Sequence, residues 1–280
     1  MASSTEPPGA AKPLRIYFLP NLMTAGNLFC GFVALTKIVE ADANAVNFNA
    51  RIRYALFFIL LACVFDLLDG RLARWGGRES SFGREFDSLA DLISFGVAPA
   101  FLVHRIVLKD VQPPEIGWFL ASIYLICGAL RLARYNCMSA EAGTGGSKEF
   151  LGFPIPAAAG LVASLTLFLL WWEDRGFAVS DWRYVLPAIM ILLSVMMVSE
   201  VKYPSFKALD LRAQRSFTKT VIGVVFVGLV FVLRHHILHL LLPVLFTAYL
   251  AYGFIRPHIS RQIRHEIEEE DEDDPPPGQS

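Results

Sequence analysis

The stretch Asp66-Leu-Leu-Asp69-Gly70-Arg-Leu-Ala73-Arg74, followed by Gly83-Arg-Glu-Phe-Asp87-Ser-Leu-Ala-Asp91, places four carboxylates within 26 residues. Asp66 and Asp69 stand at i, i+3, with Ala73 at i+7, and Asp87 and Asp91 stand at i, i+4. On two helices each set therefore falls on one face. The intervening residues 75–83 supply Gly and Ser where an antiparallel helix pair would reverse, so the two acidic faces are expected to converge. The set contains no Cys or His, which selects hard, oxygen-preferring cations: Mg²⁺ or Mn²⁺ over zinc, with Ca²⁺ as a replacement or inhibitor. Four carboxylates suffice for two ions. Two neighbouring metals suit in-line attack at phosphorus, because they neutralise diphosphate oxygens and stabilise the leaving group. Gly70 and Ala73 leave room for a ligand to approach the helix, and Arg74 offers a fork of donors to phosphate.

These acids lie in an apolar chain. Of 280 residues 54% are hydrophobic and 18% charged, with a mean hydropathy of +0.46, values that exclude an ordinary soluble domain of this length. Stretches long enough to cross a bilayer core of roughly 30 Å recur at 18–38, 53–72, 88–108, 116–136, 155–173, 184–200, 218–234 and 236–255. The expected fold is an all-α, polytopic transmembrane bundle of about eight helices. With the N-terminus in the cytoplasm, 17 of the 25 Lys and Arg residues fall in cytoplasmic loops, so the positive-inside bias puts both termini and the carboxylates on that side. A net charge of −1 gives no global field directed at nucleic acid.

One membrane domain, 15–258, is expected between a small, polar tail (1–14) and an acidic tail (259–280), both read as disordered and the second as a solvated end. No internal repeat or cleavable signal peptide is apparent. Cys30, Cys63, Cys127 and Cys137 lie in or beside apolar spans without a CxxC pair and read as packing residues. His235, His236 and His239 read as interfacial polar residues at an extracytoplasmic turn. Gly143-Thr-Gly-Gly-Ser147, ahead of Pro154 and Pro156, reads as a loop and helix entrance near the carboxylates.

The pattern D-x2-D-G-x2-A-R-x8-G-x3-D-x3-D from Asp66 to Asp91 resembles the signature of the CDP-alcohol phosphatidyltransferase superfamily, with every spacing kept. Further segments are similar to the integral-membrane phosphatidylserine synthases: Leu19-Pro-Asn21-Leu-Met-Thr24-Ala-Gly-Asn27, Ile93-Ser-Phe-Gly-Val-Ala-Pro-Ala100, Cys127-Gly-Ala-Leu-Arg131-Leu-Ala-Arg134-Tyr-Asn136, Gly152-Phe-Pro-Ile-Pro156 and Lys202-Tyr-Pro-Ser-Phe-Lys207. The resemblance covers residues 15 to 255. It implies transfer of a phosphatidyl group from CDP-diacylglycerol to the hydroxyl of L-serine by an integral protein of the bacterial cytoplasmic membrane, working as a homodimer. It further implies that Asp66, Asp69, Asp87 and Asp91 hold two Mg²⁺ or Mn²⁺ ions and that Asp91 acts as general base. Gly70, Ala73, Arg74 and Gly83 would surround the CDP moiety, and Asn21, Thr24 and Asn27 would meet its diphosphate.

Arg131 and Arg134, at i, i+3 and followed by Asn136, offer bidentate donors for an amino-acid carboxylate; headgroup-facing, positive-inside arginines are the competing reading. Other readings remain. Glycerol 3-phosphate or an inositol phosphate as acceptor would need a second phosphate pocket, for which Lys202, Lys207 and Arg212 are candidates. A cation transporter would spread acids through the depth of several helices, and a catalytically silent scaffold would lose motif positions. The aspartates could also simply pair with Arg71, Arg74, Arg78 and Arg84 to anchor helix ends.

Overall fold

The computed structural model describes residues 18–42, 46–75, 80–141, 149–176, 184–204 and 239–253, with the backbone alone for 18–20, 71–75, 139–141, 149–150 and 202–204. Almost all of these residues are helical. The helices are α1 (Phe18–Glu40), α2 (Phe48–Trp75), α3 (Ser81–Asp91), α4 (Ala98–Ile106), α5 (Pro114–Glu141), α6 (Ile155–Asp174), α7 (Val185–Val198) and α8 (His239–Gly253). Spans of the required length and hydropathy are Asn21–Glu40, Ser81–Ile106, Pro114–Met138 and Ile155–Asp174; α7 and α8 are shorter apolar helices. α2 has 28 residues, about 42 Å at 1.5 Å per residue. It carries Arg51, Arg53, Asp66, Asp69, Arg71 and Arg74, which lower its average hydropathy. The expected span at 218–234, both tails and the 143–147 loop lie outside the described residues.

Small residues let the helices approach. Ala34, Ala55, Ala62, Ala98, Ala100, Ala158, Ala159 and Ala163 are buried between them, as expected where lipid removes the hydrophobic drive and close packing must hold helices together. α1 is the central wedge: it packs on α2, α3, α4 and the segment joining the last two. At Gly31 the approach is close: a Cβ there would stand 2.2 Å from Ser94 Oγ and 2.8 Å from Ser94 Cα.

The span expected at 88–108 is one rod, α3 to α4, interrupted by a π-helical segment, Leu92–Val97. Its cause is readable. Pro99 has no N–H to give the carbonyl four residues back, that of Phe95. The buried Tyr124 hydroxyl on α5 donates to that carbonyl at 3.1 Å, and the Ala98 N–H bonds Ile93 in the wider i→i+5 pattern. The π turn falls directly after Asp91.

A short strand pair adds to the helical reading. β1 (Glu149–Leu151) runs antiparallel to β2 (Lys202–Pro204), with Phe150 opposite Tyr203. Gly152 leaves this pair at φ 78°, beside the C-terminus of α7, where a Cβ would lie 2.2 Å from the Met197 carbonyl oxygen. Pro154 and Pro156 then open α6, as their fixed φ suits a first helical turn. At the opposite end of α1 and α2 from the aspartates, Lys37 and Arg51 pair with Glu40, and Arg53 pairs with Asp174. His239 stacks on Trp171 at 6.0 Å, and Arg175 lies 4.7 Å over the same indole.

Gly152→Ala must either flip the backbone or displace α7. A loss of about 1–3 kcal/mol is expected, seen as a lower melting temperature in detergent; an unchanged melting curve would contradict the packing at this turn.

Candidate active site

The helical periodicity of the sequence delivers the aspartates to one place. One carboxylate oxygen from each of Asp66, Asp69 and Asp87 lies within 4.8 Å of the others. Asp91, one turn beyond Asp87 on α3, is held separately: Asn27 Nδ2 donates to its Oδ1 at 2.9 Å. Asp69 and Asp91 are only 5% and 6% exposed.

Three ionised carboxylates at this spacing repel strongly. Each pair about 5 Å apart costs roughly 3 kcal/mol at an effective dielectric near 20. Thr24 Oγ1 donates to Asp69 Oδ2 at 2.9 Å, but one hydrogen bond to a charged group returns only about 1.5–3 kcal/mol. The balance calls for a cation. Asp87 Oδ1 is buried and meets no hydrogen-bond donor among the described residues, so a lone pair is left for one. With oxygen donors alone, the set fits a hard divalent ion.

The four aspartates thus reach one site, three as a cluster and the fourth on its own support. The first-helix residues expected at the diphosphate divide. Thr24 and Asn27 are buried and turned onto Asp69 and Asp91. Asn21 Nδ2 is buried without an acceptor among the described residues, and Asn21 Oδ1 would lie 3.3 Å from a Cβ placed on Gly83. Gly83 sits in the first turn of α3, its N–H capped at 3.0 Å by Ser80 Oγ. Any larger residue at 83 would press on Asn21 and on the cap. Gly70 follows Asp69 on α2; Ala73 and Arg74 continue that helix, with their side chains outside the described set.

The two arginines treated as a pair in the sequence separate in the fold. Arg134 spends its guanidinium on main-chain carbonyls: Nη1 on Val198 at 2.8 Å, and Nη2 on Leu151, Met197 and Ser199 at 3.1–3.3 Å. This fork ties α5 to the end of α7 and to β1, through main-chain partners that the sequence does not announce. Arg131 is 7% exposed, and its Nε has no acceptor among the described residues. It lies within electrostatic reach of Asp91 and of Tyr249 on α8. Asn136, the third expected acceptor contact, bridges to α3 instead, donating to Ser88 Oγ at 3.0 Å and Glu85 Oε2 at 3.2 Å.

Sequence reasoning missed Ser94 and Tyr124, which stabilise the π turn after Asp91; Pro99 was the available signal. Ser94 Oγ donates to the Asn27 carbonyl at 2.9 Å. An acidic cluster beside a π turn, with a buried arginine in electrostatic reach of Asp91, offers oxygen donors suited to a divalent cation.

The profile of the CDP-alcohol phosphatidyltransferase family matches residues 17–199, which include every residue of this site except Tyr249. The chain belongs to the CDP-alcohol phosphatidyltransferase family. It is similar to a CDP-diacylglycerol–serine O-phosphatidyltransferase of Helicobacter pylori, 34% identical over 241 residues that cover 86% of this chain and 91% of the relative. The enzyme of that name from Bacillus subtilis is 34% identical over 68% of this chain and 92% of its own length. An archaetidylserine synthase of Methanothermobacter thermautotrophicus is 36% identical over 66% of this chain and 69% of its own length. As a family member with several apolar helices, the chain is an integral membrane phosphatidyltransferase.

Asp87→Asn removes one charge from the cluster and should weaken Mn²⁺ binding about 10-fold or more, measured by calorimetry or electron paramagnetic resonance on the detergent-solubilised protein. Unchanged affinity would place the cation elsewhere.

Proposed function

We propose that this protein transfers the phosphatidyl group of CDP-diacylglycerol to the hydroxyl of L-serine, giving phosphatidylserine and CMP. The observation that carries the reading is the gathering of four aspartates at one site, three with oxygens within 4.8 Å of one another and the fourth, Asp91, held by Asn27 within electrostatic reach of Arg131. The serine-transferring relatives, matched along most of the chain, support the choice of acceptor.

Asp66, Asp69 and Asp87, with Asp91 in reach, would hold Mg²⁺ or Mn²⁺, as two ions when loaded. When bound, the cations supply Lewis-acid neutralisation of the diphosphate oxygens and of the departing phosphate. The protein's own groups do the rest. Arg131 binds the serine carboxylate by its fork of N–H donors and so turns the hydroxyl toward Asp91. Asp91 takes the hydroxyl proton as the serine oxygen bonds to the phosphorus that bears diacylglycerol. The phosphoanhydride bond to CMP breaks, and CMP leaves with the electron pair. Asn21 and the first turn of α3 offer N–H groups to the diphosphate. The positive-inside bias supports a reaction at the cytoplasmic face of a bacterial membrane, within a domain spanning 15–258, and the family resemblance supports a homodimer.

The test is CMP release from CDP-diacylglycerol by purified protein with Mn²⁺ or Mg²⁺, offered L-serine, glycerol 3-phosphate or inositol phosphate. Serine-dependent release is expected, reduced by about 10²–10⁴-fold in Asp91→Asn. Release with another acceptor alone would keep the chemistry and overturn the substrate. Arg131→Lys should raise the serine KM about 10-fold, the loss of a bidentate contact; an unchanged KM would remove Arg131 from the acceptor pocket.

A further inference from the structure

We infer that α8 completes the acceptor pocket: Tyr249 is the positioning residue for the Arg131 guanidinium, so that capture of an amino-acid carboxylate depends on a helix outside the residues 17–199 that the family profile matches. The inference rests on the phosphatidyltransferase reading above, in which Arg131 binds the serine carboxylate, and adds a residue to that pocket.

The sequence of α8 already gives it an inner side. His239, Pro243, Phe246, Tyr249 and Leu250 recur at three- and four-residue spacing and form the less exposed side of the helix, while Leu241 and Val244 are exposed on the other. Three contacts then fix its register on α6. His239 stacks on Trp171 at 6.0 Å. Phe246 fills the notch at Gly160, where a Cβ would stand 2.3 Å from Phe246 Cζ. The Tyr249 ring lies 5.5 Å from that of Phe153, just ahead of α6. As α8 advances its partners recede, from 171 to 160 to 153, so the two helices run antiparallel and α8 cannot slide without breaking all three contacts.

The last contact delivers Tyr249 to the end of α5. Phe153 is fully buried, and its N–H donates to the Met196 carbonyl at 3.0 Å, while the Gly152 N–H donates to that of Val201 at 2.9 Å. Arg134 donates to the Leu151 carbonyl just before them. The segment on which Tyr249 leans is thus tied both to the end of α7 and to α5. One turn back on α5, Arg131 is buried, with Nε lacking an acceptor among the described residues. The Tyr249 hydroxyl oxygen is also buried and lies within electrostatic reach of that guanidinium. A buried cation needs lone pairs around it. A phenol oxygen supplies them without cancelling the charge. Tyr249 therefore orients the fork and leaves its positive charge for an incoming carboxylate.

The experiment compares steady-state kinetics of wild type, Tyr249→Phe, Arg131→Lys and the double variant, with serine and CDP-diacylglycerol varied in turn. Tyr249→Phe keeps the ring on Phe153 and removes only the hydroxyl. It should raise the serine KM about 5-fold or more, with kcat and the KM for CDP-diacylglycerol changed by less than about 2-fold. The double variant should have about the serine KM of Arg131→Lys alone, because a residue that acts through Arg131 has nothing left to orient. Gly160→Ala, which pushes Phe246 and α8 outward, should raise the serine KM in the same pattern, and Gly160→Ala with Phe246→Leu, which removes the tip of the ring, should restore it. An unchanged serine KM in Tyr249→Phe, with Arg131→Lys impaired, would overturn the inference and leave the reaction standing. Multiplicative effects in the double variant, or a fall in kcat with both KM values kept, would equally overturn it, making α8 a packing helix alone. Absence of serine-dependent CMP release from the wild type would reject the reaction itself, and this assignment with it.

Discussion

Mutual repulsion among carboxylates buried in an apolar bundle is the constraint around which this protein is built. Acids at membrane depth are each unfavourable by a few kcal/mol, and three within 4.8 Å add repulsion to that cost. A fold can keep them only by surrounding them with donors and leaving a place for a cation. α1 supplies the donors, Thr24 and Asn27, and Asp87 keeps an oxygen open. The wedge position of α1, the small residues along the helix contacts and the π turn all serve that arrangement.

The division of the four aspartates follows from helix geometry combined with one proline. Asp66 and Asp69 on α2 face Asp87 on α3, while Asp91 sits one turn on, where the backbone widens because Pro99 cannot bond Phe95. Tyr124 takes up the freed carbonyl. In this way a local defect in the hydrogen-bond ladder stands directly after Asp91, which Asn27 holds within electrostatic reach of the other three aspartates.

The convergence of the aspartates and the apolar spans were legible in the sequence because each follows from a local period; the turn expected at 75–83 lies mostly outside the described residues. Six of the eight expected spans correspond to α1, α2, the α3–α4 rod, α5, α6 and α7, and α8 lies within the last. What sequence alone did not separate is the work of like residues. Arg131 and Arg134 stand one turn apart on α5 and differ only in what the rest of the fold brings to them: the carbonyls at the end of α7 and β1 for Arg134, and Asp91 and Tyr249 for Arg131. Likewise Thr24 and Asn27 on the first helix reach Asp69 and Asp91, contacts that no local pattern announces. A polar side chain on the first helix has no local signal that says whether it meets substrate or another side chain 45 or 64 residues away.

The most direct test of this arrangement is a structure of the protein with Mn²⁺ and CDP-diacylglycerol, with the ions located by anomalous scattering at the manganese edge. The account predicts Mn²⁺ among Asp66, Asp69 and Asp87, with Asn27 still on Asp91 and the diphosphate between the ions and Asn21. Manganese bound away from these carboxylates would contradict it.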